Sequence, residues 1–209
     1  MTRRLIATAA AALAMTAFVA AQGGKPASPA GTAATEVGGK YDTSGSEPVY
    51  KGGKWIEITY GRPIKRGRDV LGGTGDKYGK VANPDAPVWR AGANYTTQLK
   101  TEVPISINGK TIAPGTYTMF IDLKPNNWTL IVSNWKAQKD YDPNNKAELW
   151  GAYGYTPDKD VVRAPMKVET LPHSHEELTW QFFDVTDAGG TLAIMWDRTM
   201  ASVPFKVGG

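Results

Sequence analysis

Residues 55–60 read Trp55-Ile56-Glu57-Ile58-Thr59-Tyr60. Ile56, Ile58 and Tyr60 fall on one side of an extended chain, and Glu57 and Thr59 fall on the other. Successive side chains of a strand point to opposite faces, so this alternation reads as a half-buried β-strand. No window of the chain sustains the apolar stripe that a helix would need. The alternation returns at Val103, Ile105 and Ile107 and stops at Asn108-Gly109. Asn-Gly at that point signals a tight hairpin, because both turn residues must reach positive φ. The returning strand ends at Pro114-Gly115, a pair suited to a type II turn. Beyond it Tyr117, Met119, Ile121 and Leu123 share a face, and Asn126-Asn127 turns the chain into a strand over Trp128 to Ser133.

The C-terminal third predicts three more strands, at Met166 and Val168, at Leu178 to Phe182, and at Leu192 to Trp196. Asp187-Ala188-Gly189-Gly190 turns between the last two. Val203-Pro204-Phe205 reads as a short edge segment, since proline cannot donate to a central ladder. Many short strands at close spacing predict an all-β fold, a single antiparallel β-sandwich over residues 48–209, with a jelly-roll-like or barrel-like variant as the alternative.

The start of the chain sets an expected compartment. Arg3 and Arg4 precede an alanine-rich apolar run from Leu5 to Ala21, with small residues at Val19 and Ala21. That order predicts a cleaved signal peptide over residues 1–21 and a periplasmic or secreted product without stable membrane insertion. With no cysteine in the chain, neither a lipoprotein anchor nor a disulfide scaffold is available, so stability must come from burial. Residues 22–47 are rich in Gly, Ala, Ser, Thr and Pro, and read as a low-complexity flexible linker. The chain holds 24 basic and 20 acidic residues; losing Arg3 and Arg4 leaves a net charge near +2, too little to argue for nucleic acid.

Three stretches concentrate arginine, glycine and aromatic residues: Tyr60-Gly61-Arg62-Pro63 with Lys65-Arg66-Gly67-Arg68; Val88-Trp89-Arg90-Ala91-Gly92-Ala93-Asn94; and Leu149-Trp150-Gly151-Ala152-Tyr153-Gly154-Tyr155. Together with Ile107-Asn108-Gly109-Lys110, Pro114-Gly115-Thr116-Tyr117 and the closing Trp196 to Phe205, their order resembles the bacterial "domain of unknown function 2911" family over roughly residues 50–207. Ala82 to Pro87 departs from that pattern as an insertion. The resemblance implies an exported β-sandwich-like domain and no established activity.

Arg62, Arg66, Arg68 and Arg90 are candidates to converge on an anion, because a guanidinium offers a planar fork of donors to carboxylate or phosphate. Asn94 adds a donor and an acceptor, and Trp89, Trp150, Tyr153 and Tyr155 offer flat faces for a sugar. The structural alternative pairs each arginine with an internal carboxylate such as Glu57, Asp69 or Asp197. His173 and His175, at i and i+2 beside Glu176 and Glu177, are weak zinc candidates; Pro172 places them in a solvated loop, and no metal or other cofactor is expected.

No nucleophile elbow, His-Glu-x-x-His, P-loop or dinucleotide pattern is present. The leading expectation is therefore a non-catalytic ligand-binding or envelope-associated module for a small anionic or saccharide ligand. A hydrolase on cell-envelope or extracellular carbohydrate and a purely structural domain are the alternatives.

Overall fold

The computed structural model describes residues 26–208, so the expected signal peptide lies outside the described residues. The first seven strands are β1 (Ala30–Val37), β2 (Lys40–Asp42), β3 (Val49–Lys51), β4 (Lys54–Gly61), β5 (Thr97–Thr101), β6 (Ile105–Ile107) and β7 (Lys110–Ile112). There follow β8 (Gly115–Asp122), β9 (Thr129–Ser133), β10 (Lys136–Ala137), β11 (Glu148–Leu149), β12 (Asp160–Pro165), β13 (Lys167–Thr186) and β14 (Gly189–Val207). Two antiparallel sheets build the sandwich, and neither closes into a barrel: β1-β4-β5-β8-β9-β12, and β13-β14-β6-β7.

The alternation that predicts β4 sets its orientation. Ile56, Ile58 and Tyr60 are buried between the sheets, while Glu57 and Thr59 face outward and are partly exposed. Leu99, Met119, Ile121, Leu130 and Val132 continue that inner face, opposite Trp180, Leu192, Ile194, Trp196, Ile105 and Ile107. Each such side chain, fully buried, contributes about 1.5–3 kcal/mol, which is how a cysteine-free domain holds together. β8 and β9 are covered on both faces. Phe120 and Ile131 point away from the main core into a second cluster roofed by Val88, Leu149, Ala152 and Tyr155. Ala86 is buried in the same cluster.

The Asn108-Gly109 hairpin forms as expected, with φ of 51° and 71° and Ile107 opposite Lys110. Pro114-Gly115 is not a type II turn. Gly115 has φ 159°, far from the roughly +80° that turn requires, and it opens β8. Since β7 and β8 belong to different sheets, the chain crosses between layers here.

Three expectations are corrected in the C-terminal third. Met166–Val168 and Leu178–Phe182 are not separate strands, because β13 runs unbroken from Lys167 to Thr186. Its pairing with β14 shifts register between Thr170 and His175 and again before Thr179, so His173 and His175 sit in a bulged strand rather than a loop. Pro172 falls where a missing N–H leaves no ladder bond unmade. Pro204 is not in an edge strand either. β14 lies between β13 and β6, and Pro204 sits where its partner changes from β13, last paired at Ser202, to β6, first paired at Phe205. β14 is also sharply bent, with Asp197 at φ 52°. Its final residue returns to its start, where the Val207 N–H donates to the Ala188 carbonyl at 3.0 Å.

The flexible reading of residues 22–47 fails from Ala30 onward. β1 pairs with β4 along its whole length, from Ala30 opposite Gly61 to Val37 opposite Lys54. Low complexity misleads here because an edge strand draws its bonds from backbone groups, which every residue but proline supplies in full.

Candidate functional site

The loop that leaves β4 fastens the two sheets together. The Lys65 N–H donates to the Glu176 carbonyl at 2.6 Å and the Leu178 N–H donates to the Pro63 carbonyl at 3.0 Å. Residues 63–65 thus take the pairing that the bulged middle of β13 withdraws from β14. Side chains reinforce the joint. Arg62 Nη2 meets Glu177 Oε2 at 2.5 Å, and Lys65 Nζ meets Asp197 Oδ1 at 2.5 Å, with Ser174 Oγ donating to the same oxygen at 2.8 Å.

Burial alone would raise the Asp197 carboxyl, but hydrogen bonds from Lys65 and Ser174, with the positive charges of Lys65 and Arg198, outweigh it and hold the group below its ordinary value. A carboxyl lowered in the folded state stabilises at pH above its unfolded value, about 4, and that contribution fades as pH falls through the folded value. Asp197→Asn is therefore expected to lower stability at pH 7 and to weaken the further loss as the pH falls below about 4. Urea unfolding at several pH values checks this; a parallel downward shift at every pH would place the acid sensitivity elsewhere.

The four candidate arginines do not share a partner. Arg62 pairs with Glu177, not with Glu57, Asp69 or Asp197. Arg66 Nη1 donates to the Ala27 carbonyl at 3.1 Å, and Arg68 closes its own loop through Nε to Lys65 O and Nη2 to Ile64 O, at 3.0 and 2.7 Å. Arg90 Nη1 donates to the Asn94 carbonyl at 2.5 Å, and Asn94 Nδ2 to the Ser28 carbonyl at 3.3 Å. Each of the four thus donates to a different acceptor of the chain, main-chain carbonyls for Arg66, Arg68 and Arg90 and one carboxylate for Arg62, while Arg62 Nε is buried without a partner.

Trp89 is also not on a ligand surface. It is 1% exposed, stacked on Trp196 and edge-on to Trp128 with ring centroids 6.2 and 6.0 Å away. Tyr155 is buried as well. Its hydroxyl donates to Asp160 Oδ2 at 2.7 Å, Arg163 binds the same carboxylate at 2.9 Å, and burial pushes the phenol far above its usual value.

Tyr153 meets Arg90 on one side and shares a cavity with Trp150. The Arg90 guanidinium lies 5.3 Å from the Tyr153 ring centre, a cation–π contact. Gly151, at φ 64°, leaves the room that Arg90 occupies, since a Cβ there would stand 2.5 Å from Nη1. Trp150 and Tyr153 border a cavity of about 350 Å³ that Tyr141, Asp142, Asn145 and Glu148 also line. Tyr141 packs against Trp150 at 5.9 Å. Tyr141 and Tyr153 are 62% and 48% exposed, so their faces are open to a ligand.

Sequence reasoning missed the residue that shapes this cavity. Gln138, 6% exposed, donates through Nε2 to the carbonyls of Asp142, Asn145 and Glu148 at 3.1, 2.9 and 3.0 Å and accepts the Asp142 N–H through Oε1 at 2.9 Å. One buried amide thus folds residues 138–148 around itself. The Asp142-Pro143-Asn144-Asn145 run was the available turn signal, but nothing in it points to Gln138. His173 and His175 gain no third ligand: among the described residues no group of three or more His, Cys, Asp or Glu side chains is placed to hold a metal ion.

Residues 45–205 match the model of the family described as "Protein of unknown function (DUF2911)", and the chain belongs to that family. No curated protein and no solved structure matches it.

Proposed function

We propose that this member of the DUF2911 family is an exported, non-catalytic binding domain that takes a saccharide in the cavity between Tyr141, Trp150 and Tyr153. The observation that carries the reading is three aromatic side chains, two of them open to solvent, around one cavity rimmed with polar groups. Aromatic faces accept the C–H side of a sugar ring, while its hydroxyls need donors and acceptors at the edge. About 350 Å³ lies within the usual size of a small-ligand pocket. The anionic alternative is weaker, because Arg62, Arg66, Arg68 and Arg90 already donate to acceptors of the chain. Binding is favoured over hydrolysis because both rim carboxylates are engaged by the loop itself. Asp142 Oδ1 accepts the Asn144 N–H, and Glu148 Oε2 accepts from Asn145 Nδ2. The sequence of residues 1–21 supports export to the periplasm or beyond.

The test is thermal unfolding of the chain from Gln22 onward with a panel of neutral and acidic oligosaccharides. A saccharide at about 100 times its dissociation constant adds about 2.7 kcal/mol, a rise of roughly 5–10 °C for a domain of this size. Trp150→Ala is expected to remain folded and lose the rise. No rise with any saccharide, or one that persists in Trp150→Ala, would remove the proposal.

A further inference from the structure

The long hairpin of β13 and β14 carries a cavity of its own, away from Tyr141 and Trp150. If β14 ran straight, Thr191 and Ser202 would stand about 36 Å apart, at about 3.3 Å per residue. Both instead border one cavity of about 610 Å³. The kink at Asp197, φ 52°, and the Val207 N–H bond to the Ala188 carbonyl fold the hairpin back, so its two ends share this space. Leu192 and Ile194 at one end, and Ala201 and Val203 at the other, are buried in the main core. Alternate residues therefore point away from that core. Among them Ala193 is buried and Met200 half-buried, and with Phe183, Pro165 and Pro204 they give the cavity its apolar lining. The size and the mostly apolar lining with a few polar groups are those of a small-molecule pocket.

The charged side chains at the cavity choose the ligand. Lys167 Nζ is held by Glu169 Oε1 at 2.9 Å, so those two charges offset each other. Asp184 remains: it is exposed, and no ion pair among the described residues includes it. A bulge puts its carboxylate there. Neighbours in a regular strand point to opposite faces, yet Phe183 and Asp184 border the same cavity. The pairing of β13 with β14 shifts register between Phe183 and Thr186, with Asp184 at φ 51°, and a bulge of this kind re-aims a side chain. We propose that this cavity is a second binding site, for a small molecule with a flat apolar body and one positive charge, an arylalkylamine. Phe183 and Met200 pack against the ring, which a thioether and an aromatic edge both suit, and the Asp184 carboxylate meets the ammonium. An acid would be repelled by Asp184. A saccharide would find only Thr191 and Ser202 as uncharged polar side chains.

The probes are naphthylmethylamine, naphthylmethanol and naphthoate, which share one flat body and differ in charge. Each is titrated into the chain from Gln22 onward by isothermal titration calorimetry. The amine is expected to bind about two- to fivefold more tightly than the alcohol, the range of an exposed ion pair, and naphthoate more weakly than either. Asp184→Asn should bring the amine level with the alcohol. Phe183→Ala and Met200→Ala should each weaken amine and alcohol alike. Trp150→Ala should leave all three unchanged, so the outcome is independent of the saccharide reading. Melting curves establish which variants are folded; if Phe183→Ala is not, Met200→Ala carries the test. No binding of any probe overturns the site. Equal affinity of the wild-type chain for amine and alcohol overturns the cationic class of its ligand. Binding that survives truncation in a folded variant, or that is lost in Trp150→Ala, puts the probe elsewhere and overturns the site as well.

Discussion

Trp89→Ala is expected to lower the unfolding free energy by about 3–5 kcal/mol, the range for removing a large aromatic side chain from a packed core. The side chain is 1% exposed and lies between Trp128 and Trp196, so its removal opens a void bounded by two rigid rings that cannot collapse into it. The backbone at this position is independently anchored. The Trp89 N–H and carbonyl exchange hydrogen bonds with Ile121, both at 2.8 Å, so the loss comes from packing and not from a detached loop. For a domain of this size the melting temperature should fall by roughly 10 °C or more. Trp89→Phe separates volume from polarity. Trp89 Nε1 is buried with no acceptor, so the phenylalanine loses no hydrogen bond and should cost well under half as much. Trp180→Phe differs, because Trp180 Nε1 donates to the Ala91 carbonyl at 3.0 Å. Urea unfolding of the three variants checks the order. A Trp89→Ala domain with a near wild-type midpoint and altered saccharide binding would return Trp89 to the ligand surface.

That contrast shows where the sequence was legible. Alternation identifies β4, β6 and the inward face of β8, because a strand with one wet face must alternate, and the Asn126-Asn127 turn places β9. Composition names Trp150 and Tyr153 as aromatic candidates, and these do border a cavity. Composition misplaces Trp89, because a tryptophan beside arginine and glycine looks the same in a binding loop as in a loop that caps a core. Exposure separates the two, and exposure depends on Ile121 and Trp196, which are distant in sequence. The Thr118-Met119-Phe120-Ile121 run is buried throughout, since a second cluster covers the outer face, and no local pattern announces that cover. The sequence breaks β13 in two for a related reason. Its middle pairs with residues 63–65 across the sandwich, so its register follows a loop over a hundred residues earlier. Gln138 was invisible because a single glutamine carries no periodicity. β1 reads as linker because its bonds are made by main chain.

Gly61→Ala is the second large effect, expected to destabilise by about 2–3 kcal/mol through overpacking alone. Gly61 is not among the residues with positive φ, so alanine has no conformational objection to the site, and by restricting the unfolded chain it would contribute roughly 0.4–1 kcal/mol in the opposite direction. The cost is steric. A Cβ on Gly61 would overlap the Ala93 carbonyl, a main-chain group fixed by the Ala93 N–H bond to Gly61 O at 3.0 Å. Gly92 faces the same junction, with Gly61 O 3.0 Å from where its own Cβ would be. The two loops can therefore separate only by breaking their shared bond, and separation would move Arg90 off Tyr153. Gly67, six residues on in the same motif, supplies the control. Nothing lies within 4 Å of where its Cβ would be, but its φ is 71°, so Gly67→Ala should cost only the left-handed backbone penalty, about 1–2 kcal/mol. Saccharide binding should weaken in Gly61→Ala and persist in Gly67→Ala when both are measured below their melting transitions. If the two variants lose equal stability and neither affects binding, the Gly61–Ala93 approach is not what holds the Arg90 loop against the sandwich.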